Sequence, residues 1–122
     1  MAVFYIDGEA QKDLNLVKGQ IYRFDQSNSS NSNYILLVSE HPDGDDTLNG
    51  PGPDEYTTGV SYWINNGAVN AGTYQSSQFT NAASRFIQIE VDSNLTGPLY
   101  YYAVNPADGS RIDNMGGQII IS

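Results

Sequence analysis

Apolar residues in this chain fall in short runs of strand length, and several runs alternate with polar positions. In Arg85-Phe86-Ile87-Gln88-Ile89-Glu90-Val91, the residues Ile87, Ile89 and Val91 share one face while Gln88 and Glu90 turn to water. A period of two is the mark of a half-buried strand. Tyr22 and Phe24 form a second inward row with Arg23 pointing away, Val60, Tyr62 and Ile64 a third, and Tyr101 with Ala103 a fourth. The pattern predicts strands over Ala2–Ile6, Leu14–Val17, Gln20–Asp25, Asn33–Val38, Gly59–Ile64, Arg85–Val91, Leu99–Val104 and Gly117–Ile121. These runs are rich in Tyr, Ile, Val and Phe, and Lys18-Gly19, Asn66-Gly67, Gly97-Pro98 and Asp108-Gly109 punctuate them with turn chemistry. Helical periodicity is missing; the best candidate is one turn over Thr80–Ser84. About seven or eight strands at this spacing predict an all-β, two-sheet sandwich. A length of 122 residues predicts a single domain over 1–122.

Two connections lack this patterning. Ser27–Ser32 is a Ser/Asn tract that reads as a flexible surface loop. Ser39–Tyr56 carries His41-Pro42-Asp43-Gly44-Asp45-Asp46 and Gly50-Pro51-Gly52-Pro53-Asp54, and its Pro and Gly content keeps it out of a sheet. Loops of that length in small domains are commonly functional or disordered.

Charge sharpens the picture. With 14 Asp+Glu against 5 Lys+Arg, the formal charge is −9. No Lys or Arg stands between Arg23 and Arg85, where Asp25, Glu40, Asp43, Asp45, Asp46, Asp54 and Glu55 all fall. Such a chain is a poor match for nucleic acid, whose affinity is built on neutralising phosphates. The acidic stretch reads either as a solubilising surface or as a patch that meets a basic partner. Cysteine is absent, so disulfides, thiolate metal sites and cysteine nucleophiles are excluded together. No apolar run approaches the roughly 18–20 residues of a membrane span. The N-terminus has neither the basic segment nor the apolar core of a signal peptide, which favours synthesis and folding in the cytoplasm.

Catalytic chemistry finds no foothold, and no catalytic or cofactor-binding residue is predicted. His41 is the single imidazole, without a Gly-x-Ser-x-Gly elbow or a second His, and reads as a loop histidine. No spacing selects a carboxylate pair for glycoside hydrolysis. Asp43, Asp45 and Asp46 offer hard oxygen ligands for a weak Ca2+ site, but without the spacing of a twelve-residue Ca2+ loop; the alternative is a solvated acidic turn. The prolines of Gly50-Pro51-Gly52-Pro53 remove the N–H donors that a phosphate cradle needs. Trp63 and the outward partners of Tyr100–Tyr102 are the candidate exposed platforms, and an exposed aromatic row would favour sugar binding.

The C-terminal third is the most specific stretch. Leu99-Tyr100-Tyr101-Tyr102-Ala103, a loop, then Met115-Gly116-Gly117-Gln118-Ile119-Ile120-Ile121 resembles the end of a cupredoxin domain. Upstream, Leu14-x-Leu16-x-Lys18-Gly19-Gln20-x-Tyr22-x-Phe24-Asp25 and Gly59-Val60-x-Tyr62 resemble earlier strands of that family, in the expected order. The resemblance implies a Greek-key β-sandwich. It does not carry copper over, because Ala103 stands where the family has its Cys, 104–114 holds no His, and none lies near Asn33 or Tyr34. Met115 then reads as a hydrophobic plug beside a tight turn before an edge strand. Copper-less domains with this wording resemble proteins of marine bacteria and their tailed phages. That likeness implies a non-catalytic virion protein, a capsid decoration or accessory (cement) protein. Its implied partner is the major capsid protein or another virion protein, and its implied assembly a homo-oligomer, with a trimer at a local three-fold axis the first guess. The alternative is a carbohydrate-binding or adhesion module at the cell surface or outside the cell.

Overall fold

The computed structural model describes residues 4–6, 8–44, 55–95 and 97–122. The described chain is mostly β: β1 (Tyr5–Ile6), β2 (Glu9–Ala10), β3 (Leu14–Leu16), β4 (Ile21–Asp25), β5 (Ile35–Ser39), β6 (Val60–Ile64), β7 (Gly67–Val69), β8 (Arg85–Glu90), β9 (Leu99–Val104) and β10 (Arg111–Ile121). Two one-turn helices, α1 (Ala71–Tyr74) and α2 (Ser77–Thr80), join β7 to β8. One four-stranded sheet has the order β3-β10-β9-β5, the other β4-β8-β6-β7, and β1-β2 is a separate hairpin. Strand β3 runs parallel to β10; every other pairing is antiparallel.

Burial follows the alternation. Ile87, Ile89 and Val91 are buried, as are Tyr62, Ile64, Tyr101 and Ala103, and residues of both large sheets belong to one hydrophobic cluster. Tyr22 and Phe24 are only partly buried, because β4 is an edge strand with one neighbour to shield it. Strand β5 is buried along its whole length. Its free edge is satisfied by Gln26, whose Oε1 accepts from Leu36 N–H and whose Nε2 donates to the Tyr34 carbonyl, at 2.9 and 2.8 Å.

Several expectations are corrected. The described residues hold ten strands rather than seven or eight; β2 and β7 are two and three residues long and carry no apolar alternation to betray them. Helix forms at Ser77–Thr80 and Ala71–Tyr74, not over Thr80–Ser84, because Asn70 and Ser76 cap the two turns through their side chains. Ser27–Ser32 is not a featureless loop. Ser29–Asn31 is a 3-10 turn capped by Asn28 Oδ1 on Ser30 N–H at 2.9 Å. The last strand begins at Arg111, and it is interior to its sheet rather than an edge. Within the expected Ala2–Ile6 strand, Tyr5–Ile6 is strand and Phe4 is not, and residues 2 and 3 lie outside the described residues.

The Met115-Gly116-Gly117 stretch is a β-bulge inside β10, where the register against β9 shifts between Ile112 and Gly117. Met115 is 1% exposed, the plug expected of it. Both glycines are required by Tyr101: a Cβ on Gly116 would overlap its carbonyl, and one on Gly117 would sit 2.5 Å from its hydroxyl. That hydroxyl donates to the Lys12 carbonyl at 2.8 Å.

Candidate functional site

The register of the second sheet fixes which side chains share its outward face. Arg23 pairs with Gln88, and Gln88 with Ser61; in the next row Asp25 pairs with Phe86, Phe86 with Trp63, and Trp63 with Ala68. Trp63 and Phe86 are both partly exposed, and their rings stack with centroids 5.5 Å apart and planes 14° from parallel. On the Phe86 ring, the Arg23 guanidinium lies 4.5 Å from the centroid. Arg23 Nε donates to Gln88 Oε1 at 2.9 Å, and Trp63 Nε1 donates to Ser61 Oγ at 3.0 Å. Each ring is therefore held by a neighbour on its own face. The outcome is a layered stack of guanidinium, phenyl and indole on the outward face of the sheet. Asp25, at the far end of the same row, accepts from Ser27, which holds its carboxyl below the usual aspartate range.

Sequence reasoning singled out Trp63 but not Phe86 or Arg23. Both occupy outward positions of alternating runs, yet that they lie beside Trp63 depends on β6 pairing with β8, which the sequence does not print. Of the other expected platform, Tyr100 is partly exposed and Tyr102 is buried. The Tyr102 ring fills the space that a Cβ on Gly44 would take, at 2.7 Å.

The acidic loop is described at its two ends, residues 39–44 and 55–56. Asp43 takes φ 55° in the turn Pro42–Gly44, its Oδ2 accepts from Asn114 N–H at 3.2 Å, and its carbonyl accepts from Arg111 at 3.1 Å. This carboxylate ties the turn to the bulge of β10. Asp45 and Asp46, the other members of the expected Ca2+ set, lie outside the described residues, as does Gly50-Pro51-Gly52-Pro53. Among the described residues no three His, Asp or Glu side chains gather as a metal site. His41 follows β5, its backbone N–H donating to Ser39 Oγ at 3.0 Å.

A second polar constellation is buried. Arg85 is 1% exposed, and its guanidinium donates to the carbonyls of Gln26, Phe79 and Asn28 at 2.7, 2.7 and 3.2 Å while lying 4.4 Å over the Phe79 ring. Burial pushes its pKa down, but three carbonyl dipoles satisfy the charge. Tyr74 packs edge-on against Phe79 and donates to Gln26 Oε1 at 3.3 Å, and Tyr62 donates to Glu55. Burial raises the pKa of Tyr62 and Tyr74 and pushes Tyr101 up to about 12. These groups hold the loops and helices in place.

The copper site of cupredoxins does not fit this chain. Ala103 and Met115 are both buried, and a thioether with no thiolate and no imidazole pair is not a copper donor set. No helix among the described residues is long and apolar enough to cross a membrane. Neither a family model, a curated protein nor a solved structure matches the chain.

Proposed function

We propose that this chain is a non-catalytic structural protein of a phage particle, a decoration or accessory (cement) protein that docks on the capsid and is carried in the virion. Its fold in this reading is a single Greek-key, cupredoxin-like β-sandwich that keeps the scaffold and not the copper. Two four-stranded sheets around one hydrophobic cluster support that reading, as does the Met115-Gly116-Gly117 bulge beside Tyr101. The observation that carries the function is the character of the surface. On a body of charge −9, apolar and aromatic groups stay unburied: the Trp63–Phe86 stack, Ile21 at 57% exposure and Tyr5 at 70%. Exposed apolar and aromatic groups of this kind suit contact with another protein surface better than they suit chemistry on a small molecule.

A capsid lattice multiplies such contacts. Modest affinity per copy becomes durable attachment when neighbouring copies also touch, as in a trimer at a local three-fold axis. The test is co-sedimentation with tailed-phage particles that lack the protein. The reading expects saturable binding at a fixed copy number per particle. Failure to bind any particle, combined with clear binding on a glycan array, would replace it with the carbohydrate-binding reading.

A further inference from the structure

Among the described residues, no further ring or guanidinium is stacked beyond Trp63 at the end of the guanidinium–phenyl–indole stack. Phe86 is sandwiched between Arg23 and Trp63, whereas the far side of Trp63 looks toward β7. In β7 the residues Gly67 and Val69 pair with Ile64 and Tyr62 on the core face, so Ala68 alone shares the Trp63 face. Ala68 is exposed and carries only a methyl group. The indole thus stands as a wall over a low, small-residue floor at the edge of the sheet. Its N–H is already committed to Ser61, which fixes the ring before anything binds.

We propose that this ledge is a docking site for an arginine side chain presented by a basic protein surface, the guanidinium stacking on the open indole face. Three observations select that occupant. An indole face is electron-rich and attracts a cation. The sheet face carries Asp25 and Glu90 against one guanidinium, on a chain of charge −9, so a positive visitor is attracted and an anionic one repelled. The molecule already uses this contact twice, with Arg23 on Phe86 at 4.5 Å and Arg85 on Phe79 at 4.4 Å. A sugar polymer asks instead for successive open rings, and on this sheet face the Phe86 ring is already taken up by Arg23 and Trp63. For the identity of the partner the inference rests on the capsid-docking reading; the stacking itself can be measured without a particle.

Trp63 is the single tryptophan, so its fluorescence and its indole N–H resonance report on this site alone. The experiment titrates the protein with an octa-arginine peptide, an octa-lysine peptide and a neutral glucose oligomer. Arginine should perturb both Trp63 signals and bind more tightly than lysine, since both peptides feel the same acidic field but only guanidinium stacks well. Ala68→Tyr lays a phenol over the ledge and should weaken octa-arginine binding roughly 5- to 30-fold, with lysine binding changed little. Trp63→Ala, which lacks the fluorescent reporter and is followed by calorimetry, should do the same, with the circular-dichroism spectrum of each variant checking that the fold is kept. Equal binding of the two peptides, an unchanged affinity in Ala68→Tyr, or a Trp63 response to the neutral sugar alone would each overturn the proposal. Particles that bind wild type and both variants alike would refute the ledge while leaving capsid docking intact. Absence of particle binding with a preserved arginine response would do the reverse.

Discussion

Close approach at single residues sets the tolerance of this fold to change. Gly116 and Gly117 lie against Tyr101, whereas Gly109 has nothing within 4 Å of its would-be Cβ and is constrained only by a φ of 72°. Gly117→Ala should therefore cost several kcal/mol and Gly109→Ala about 1 kcal/mol, measured by urea denaturation. Ile89 is 1% exposed at the centre of β8, and Ile89→Ala should cost about 2–5 kcal/mol in the same assay. Protonation acts at this scale too. The Tyr101 pKa rises from 10.0 to about 12, chiefly by burial, so the folded state favours the neutral phenol. That contribution is complete below pH 10 and is lost as pH rises toward 12, and the raised Tyr62 and Tyr74 add to it in the same direction. Alkaline titration should show tyrosinate absorbance from these buried rings appearing together with unfolding. Asp25 has the opposite sign. Its pKa is lowered from 3.8 by hydrogen bonds from Ser27, so its contribution is present above that value and lost as pH falls through the lowered one.

Elements behave according to what pins their ends. The β6–β7 hairpin turns through Asn65 and Asn66 at φ 50° and 66°, the two positive angles that the right-handed twist of a hairpin favours. Arg85 joins the end of β4, the Ser29–Asn31 turn and α2 through three carbonyls. Arg85→Met keeps the apolar stem but orphans those carbonyls; it should cost about 2–4 kcal/mol and speed amide hydrogen exchange at Asn31 and Ser32 before it does so in β9. Much of the element list was legible in the sequence. Leu99–Val104 was bounded correctly, and β4, β6 and β8 were found within a residue or so, because alternation and turn residues are local signals. What was hidden depended on partners. Strands β2 and β7 are too short to show a period, and the one expected turn, Thr80–Ser84, meets α2 only at Thr80 and misses α1 because Asn70 and Ser76 read as ordinary loop polar residues until their side chains turn back as caps. The order of the Ser27–Ser32 tract stays hidden because the Asn28 cap reads as ordinary loop polarity and the other anchor, Arg85, lies in β8.

At the scale of the whole molecule, register turns scattered outward residues into a surface. Trp63 was visible as a candidate, but the stack of Arg23, Phe86 and Trp63 exists only because β4, β8 and β6 are neighbours. The bulge glycines are held to their size by Tyr101, and the chain has no cysteine to offer a metal as thiolate. Titration with Cu2+ should accordingly produce no intense blue charge-transfer band. The docking account also carries a salt signature: attachment that draws on Asp25, Glu90 and the wider acidic surface should weaken as ionic strength rises, whereas a purely apolar contact should not. The most direct test is an electron cryomicroscopy map of tailed-phage particles lacking the protein, imaged with it added at saturation. The account predicts new density at symmetry-related positions, with the two-sheet body seated so that the Trp63 face meets the capsid. Particles that remain bare at saturating protein would contradict it.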